Sequence, residues 1–207
     1  MSTRDTYESL TAYYRFHSRI YDATRWSFLF GRSALIERVA ARSSPRRILE
    51  IGCGTGTNLA HLGRLFPRAE LTGLDLSKDM LARAHRKLSG LGGRIRLVQR
   101  AYDERLGERF ELVVFSYSLS MFNPGWERAI ACAREDLMPG GLIAVVDFHD
   151  TPLSLFSWWM KLQHVRLDGH LLQGLEKTFT SRHTEVSRAF FGLWRFFGYI
   201  GEKEASG

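Results

Sequence analysis

Residues 49–59 read LEIGCGTGTNL, an apolar run that breaks into three glycines at alternate positions, Gly52, Gly54 and Gly56. Glycine reaches backbone conformations closed to other residues and lets a ligand come close to the main chain. A nucleotide phosphate, a dinucleotide and a nucleoside without phosphate are each compatible with such a loop, and the spacing separates them. The phosphate loop of nucleotide hydrolases ends in Gly-Lys-Ser/Thr, where this chain has Gly56-Thr57-Asn58. The dinucleotide pattern G-x-G-x-x-G requires its third glycine where Thr57 stands. The pattern here is E-x-G-x-G-x-G, starting at Glu50, with a helix N-terminus expected just after it.

The surroundings of the loop set the fold class. Apolar runs at residues 47–51, 71–74, 95–98, 112–115 and 142–146 have strand length and are rich in Val, Ile and Leu. Such runs suit parallel strands buried on both faces. Helical stretches at 58–66, 78–88 and 126–137 separate them. Ser77 suits the N-cap of the second helix, with Asp79 in its first turn. MPGG at 138–141 is expected to stop the third helix before the fifth strand. Ahead of this unit, residues 7–41 read as helix, free of proline, with Gly31 as a joint. Alternating strands and helices predict an α/β fold with a doubly wound, parallel sheet. Ligands of such sheets sit beyond the carboxyl ends of the strands, so the glycine loop is expected to line that crevice. Asp75 ends the second run, about twenty residues past the loop, where an acid can accept both hydrogen bonds of a ribose diol.

Composition narrows the partners. A chain of 207 residues suits one domain with a full core. The net charge of +7 suits either an acidic partner, nucleic acid or anionic membrane, or simply a solvated basic surface. No zinc-ligand cluster, recognition-helix motif or aromatic ribonucleoprotein motif accompanies the charge, so nucleic acid is not expected. Two cysteines, Cys53 and Cys132, are too few for a disulfide framework and point to a reducing compartment. With no secretory leader and no apolar run near the ~20 residues of a bilayer span, a cytoplasmic protein with peripheral contact at the inner membrane surface is expected. His and Cys positions lack metal-ligand spacing, so no metal is expected.

ILEIGCGTGTNL followed by LTGLDLSKDML resembles the class I S-adenosylmethionine-dependent methyltransferases over residues 47–148. The resemblance implies a Rossmann-like, seven-stranded sheet, mostly parallel with the last strand antiparallel. It would comprise a helical N-terminal cap at 1–44, a cofactor-binding core at 45–150, and a substrate-side insertion with the final strands at 151–207. It also implies S-adenosyl-L-methionine as cofactor and S-adenosyl-L-homocysteine as product. Glu50, Gly52, Cys53, Gly54, Thr55 and Gly56 would lie against the methionine part, with Asn58 opening the next helix. Asp75 would hold the ribose, Leu76 and Met80 the adenine, and Ser116 and Tyr117 would lie along the cofactor toward the methyl group. Many relatives carry Gly-Asp-Ala after the third strand, with the Asp on the adenine amino group. This chain has RAYDE, with Ala101 at that place. Either Asp103 substitutes, or the backbone at Ala101 and Tyr102 holds the adenine.

YRFHSRIYDATRWSFLFGRSALIE near the N-terminus, FSYSLSMFNPGWERAI, VVDFHD and FFGLWRFFGYIGEKE resemble the bacterial betaine-lipid N-methyltransferases. That resemblance implies successive methylation of the homoserine amine of a diacylglyceryl headgroup. An alkylammonium resembling lysine has a pKa of about 10.4 and must lose a proton before attacking. His149 is the candidate base, or else a structural polar group at a strand end. Cation–π contacts favour an aromatic wall around a methylammonium. Tyr14 and Tyr21, two turns apart on one helix face, and Tyr117 are the candidates. Arg15, Arg19 and Arg25 are candidates for the headgroup carboxylate. Leu155, Trp158, Trp159, Leu162 and Val165 form a stripe at helical spacing that suits either a membrane interface or the core.

Overall fold

A computed structural model describes residues 29–153 and 166–205. Its centre is a seven-stranded sheet: β1 (Arg47–Ile51), β2 (Glu70–Asp75), β3 (Ile95–Gln99), β4 (Phe110–Ser116), β5 (Leu137–Phe148), β6 (Thr180–Ala189) and β7 (Trp194–Glu202). The strand order is β3-β2-β1-β4-β5-β7-β6. Pairings from β3 through β5 are parallel. β7 runs antiparallel to both β5 and β6, as expected for the last strand. The order reverses between β1 and β4, which opens the crevice at the carboxyl rim.

Helices cover both faces: α1 (Arg32–Ala40), α2 (Thr57–Leu65), α3 (Lys78–Leu88), α4 (Trp126–Asp136) and α5 (His170–Thr178). Alternation along the strands divides the core. Leu49, Ile51, Val113, Phe115, Ile143 and Val145 face Ile130 and Ala133 of α4 and Leu171 and Leu175 of α5. Ile48, Leu71, Leu112, Val114, Ala144 and Val146 face Ile36 and Val39 of α1, Leu59 and Leu62 of α2, and Leu81 and Ala84 of α3. Period-two alternation sends neighbouring residues to opposite faces, so a strand buried on both sides reads as an unbroken apolar run.

From β1 to α4 the expected elements lie where the patterns put them, within a residue or two, whereas β5 begins five residues ahead of the expected 142. Of the helix expected at 7–41, residues 7–28 lie outside the described residues, and α1 covers Arg32–Ala40. Ser77 caps α3, its side chain accepting from the Met80 N–H at 3.3 Å. Gly31 is the N-cap of α1 in the left-handed region, φ 78°. MPGG behaves differently from expectation. α4 does end at Asp136, but β5 begins at once with Leu137 and carries MPGG inside it. The register slips between Phe110 and Leu112 on the β4 side, and the Gly140 N–H bonds the Lys203 carbonyl. The Pro-Gly-Gly run is therefore a kink within the strand, because its backbone groups find a partner in Lys203, just past β7.

α5 and β6 had no signal. β6 reads TSRHTEVSRA and is exposed along most of its length, since it is an edge strand. Its order comes from pairing with β7, whose Trp194, Phe197, Tyr199 and Ile200 are buried. Among the described residues no helix is long and apolar enough to cross a membrane.

Candidate active site

The site is built on the β1–α2 loop and the carboxyl ends of β2, β4 and β5. Gly52, Gly54 and Gly56 all have positive φ, at 71°, 52° and 75°. A Cβ on Gly52 would lie 2.5 Å from Cβ of Ser118, and one on Gly56 would lie 2.8 Å from Leu88 Cδ1. Both conformation and space therefore demand bare backbone. Strand β2 anchors the loop, with the Gly52 and Cys53 N–H groups donating to the Leu74 carbonyl at 2.8 and 3.0 Å.

Asp75 contributes more than the ribose contact expected of it. Oδ2 accepts from the Gly54 N–H at 2.8 Å and Oδ1 from the Ser77 N–H at 2.9 Å. One carboxylate thus joins the glycine loop to the start of α3. Glu50 is buried at the end of β1, where Oε1 accepts from Asn58 Nδ2 at 2.8 Å. Cys53 is buried, and burial, with Glu50 and Asp75 nearby, pushes its thiol far up, so it is no nucleophile. Thr55 and Thr57 meet Lys87 of α3, whose ammonium donates to their hydroxyls at 3.2 and 2.8 Å. That lysine carried no motif in the sequence.

On the adenine side, Leu76 is partly exposed and Met80 is buried. Ala101 is half-buried and Asp103 exposed. The Tyr102 side chain turns away into the α4 core, its hydroxyl donating to Asp136 Oδ2 at 2.9 Å, so only its backbone is left for a ligand.

The rim after β4 is tightly bound. Ser116 is buried. Tyr117 has φ 52° and is buried, its hydroxyl donating to the Phe30 carbonyl at 3.0 Å and its ring edge-on to Phe148. Burial, with Asp147 adding to it, pushes that phenol far up, so it stays protonated. As placed, Tyr117 ties β4 to the residues before α1. Ser118 donates to the Ile51 carbonyl at 2.7 Å and supplies the wall against Gly52.

Asp147, near the end of β5, is a residue the motif reading passed over. It is fully buried and accepts from the Ser120 N–H at 3.0 Å and the Phe148 N–H at 2.8 Å. Burial raises its pKa to about 6 against the lowering effect of these bonds. A lone acid within the apolar run IAVVDF was the available signal. His149 follows, with its Nε2 3.8 Å from Asp150 Oδ2 and its ring near Phe197. Among the described residues its buried Nδ1 has no hydrogen-bond partner. Burial lowers its pKa below the ordinary 6.5, Asp150 opposing this, so the imidazole is neutral at neutral pH. Asp150 is held by Arg195 of β7, which keeps its carboxyl below the usual range. Tyr14, Arg15, Arg19, Tyr21, Arg25 and the stripe at 155–165 lie outside the described residues.

S-adenosylmethionine fits this arrangement. A loop with glycine at its three positive-φ positions suits the close approach of a methionine tail, and an acid at the end of β2 suits a ribose diol. Among the described residues no group of three or more His, Cys, Asp or Glu could hold a metal ion.

Comparison with known proteins agrees with the geometry. Residues 49–143 match the family model "Methyltransferase domain". The domain belongs to the class I S-adenosylmethionine-dependent methyltransferases. A dTDP-3-amino-3,4,6-trideoxy-alpha-D-glucopyranose N,N-dimethyltransferase of Streptomyces venezuelae is 31% identical over 168 residues, 74% of this chain and 65% of that protein. A carboxy-S-adenosyl-L-methionine synthase of Trichodesmium erythraeum is 35% identical over 48% of this chain and 41% of its own length. The matched regions thus span less than two thirds of these relatives. The methyltransferase fold recurs in the N-methyltransferase NodS from Bradyrhizobium japonicum, solved with S-adenosyl-L-homocysteine, at a TM-score of 0.71 and 18% identity, covering 83% of this chain and 85% of that one. It recurs in the Burkholderia thailandensis 1,6-didemethyltoxoflavin-N1-methyltransferase at a TM-score of 0.75 and 16% identity, covering 99% of this chain and 91% of that one.

Proposed function

We propose that this methyltransferase acts on an amine, the homoserine amine of diacylglyceryl-homoserine, and methylates it successively to the trimethylated betaine lipid. The observation that carries the reading is the neutral His149 on the cofactor rim. Register supports that reading: Ile51 pairs with Phe115 and Ser116 with Val146, so the residues after β5 share the rim with the glycine loop. When bound, S-adenosylmethionine supplies an electrophilic methyl group on a sulfonium. His149 takes the proton that an alkylammonium must lose, directly or through one water. Its lowered pKa keeps the imidazole unprotonated at neutral pH, and Asp150 near Nε2 steadies the imidazolium that forms. The glycine loop and Asp75 hold the donor in place, and such positioning can supply about 7–11 kcal/mol of the barrier. Tyr14, Tyr21 and Arg25 are assigned to the methylammonium and headgroup carboxylate on the family resemblance, and Tyr117 to the base of the same wall.

A soluble amine is the competing acceptor, favoured by the amino-sugar dimethyltransferase among the relatives. Incubation with methyl-labelled cofactor, diacylglyceryl-homoserine micelles and soluble amines decides between them. Label in the lipid phase is expected, and label only in a soluble amine overturns the lipid assignment. His149→Gln is expected to lower kcat most below pH 8 and least at high pH, where the amine deprotonates unaided. A uniform loss at every pH assigns His149 a structural role.

A further inference from the structure

We infer that the β6–β7 hairpin tip is a membrane-docking element that seats the catalytic rim on an anionic bilayer. The inference rests on the lipid-headgroup reading for its purpose, but its evidence is separate. The tip is Phe190–Gly192, between Ala189 of β6 and Trp194 of β7. Phe191 is wholly exposed and Phe190 is 42% exposed. Phe190 and Phe191 have positive φ, at 45° and 56° respectively. Among the described residues the only other non-glycine residue with positive φ is Tyr117, at the cofactor rim. Bulky side chains are strained in that region, and a turn needing such geometry is ordinarily built from Gly or Asn. Strain that presents an aromatic ring to water has no folding rationale, and it persists where function requires the presentation.

The surroundings fit a bilayer. Phe30 lies edge-on to Phe190 at 5.3 Å and is itself 39% exposed. Leu153 is 48% exposed, and its N–H bonds the Thr151 hydroxyl, which donates to the Leu193 carbonyl beside the tip. Among the described residues, four of the seven exposed large apolar side chains therefore gather at this corner, which makes it a patch. Arg188 and Arg195 stand directly opposite each other just below it, both exposed. Arg195 pairs with Asp150, while Arg188 has no acidic partner among the described residues. Like charges in register are unfavourable in a hairpin but are drawn to anionic headgroups, as is the net charge of +7. Apolar rings ahead of basic residues are the chemistry of an interfacial anchor.

The position matters too. β6 runs in the same direction as β5, so the hairpin tip lies on the carboxyl rim with the cofactor loop. Asp150 and Thr151 are hydrogen-bonded to Arg195 and Leu193, which fixes the tip to the segment directly after His149. A lipid surface met by the tip would present its headgroups at the site without the lipid leaving the bilayer.

The test is sedimentation of the full chain with vesicles of phosphatidylcholine alone or mixed with phosphatidylglycerol, at low and high salt. The expected result is salt-sensitive binding to the anionic vesicles only. Loss of one buried ring should weaken it about tenfold in Phe191→Ser, and Arg188→Gln should weaken it only at low salt. Phe191→Trp should bind as the wild type, with its emission shifted to the blue on vesicles, which guards against misfolding in the Ser variant. Wild-type binding left unchanged by Phe191→Ser, or an unshifted Trp emission on bound protein, overturns the hairpin as the anchor. A dimer in solution that Phe191→Ser dissolves overturns it in favour of a second copy. Failure to bind vesicles overturns it as well; labelling of diacylglyceryl-homoserine in detergent then shows separately whether the lipid reading survives.

Discussion

The glycine loop and the hairpin tip use the same backbone region for opposite ends. In the loop, positive φ falls on Gly52, Gly54 and Gly56, where the absence of Cβ removes the strain and opens the main chain to a ligand. At the tip it falls on Phe190 and Phe191 before reaching Gly192, so strain is retained and a ring is thrust outward. On the readings proposed above, one turn admits a molecule and the other presents a surface. The first is enclosed by Ser118, Ala84 and Leu88, whereas nothing lies within 4 Å of a Cβ built on Gly192. Conformational cost is thus located where it can be used.

The contrast can be broken at its rigid end first. Gly52→Ala combines a left-handed conformation with a Cβ 2.5 Å from Ser118, and should destabilise the chain by about 3 kcal/mol. Urea denaturation measures this, and a midpoint equal to wild type would show that the loop is not sterically closed.

A pH experiment probes the rim between the two turns. Asp147 has a folded-state pKa of about 6, above its ordinary 3.8. Between those values the folded state holds the proton that the unfolded state has released. Stability contributed by this group is therefore present below about pH 4 and is lost as pH rises through 6, by up to about 3 kcal/mol. The difference in stability between wild type and Asp147→Asn, measured at pH 4 and pH 7, should move in the variant's favour at pH 7. A pH-independent difference would place the carboxyl in a more solvated setting.

Asp75→Ala should weaken S-adenosylhomocysteine binding about 10- to 100-fold by calorimetry, since hydrogen bonds to a charged group contribute about 1.5–3 kcal/mol each. Stability should also fall, because the Gly54 and Ser77 N–H groups lose their acceptor. Unchanged affinity would remove Asp75 from the site. The smallest effect belongs to the exposed turn. Phe191→Gly relieves strain without loss of burial and should stabilise the chain by about 0.5–1 kcal/mol, after the entropy that glycine adds to the unfolded state. A midpoint raised while vesicle binding falls would set stability against function at this residue, and a lowered midpoint would show that the ring packs in the fold.

The parts legible in the sequence were those specified locally. Strands β1, β2, β4 and β5 are apolar runs because both faces are covered, whereas β3 lies at the sheet edge and is only half-buried; α3 carries its own cap in Ser77. The alternate glycines and Asp75 mark the cofactor crevice because no other residue types meet those demands on backbone and charge. Lys87, Ser118 and the Asp150–Arg195 pair were not legible, since each depends on a partner far away in the chain.

By itself the sequence determined the alternation of strands and helices, the place of the bare-backbone loop and the acid that follows it, because propensity, period and glycine chemistry act over a few residues. Tertiary structure decided the rest. It made TSRHTEVSRA a strand by supplying β7 as partner, turned Pro-Gly-Gly into a kink rather than a stop, buried Asp147 and His149 enough to move their protons, and left Phe191 in water at the edge of the site. Those outcomes depend on which distant surfaces meet, and a one-dimensional pattern does not record that.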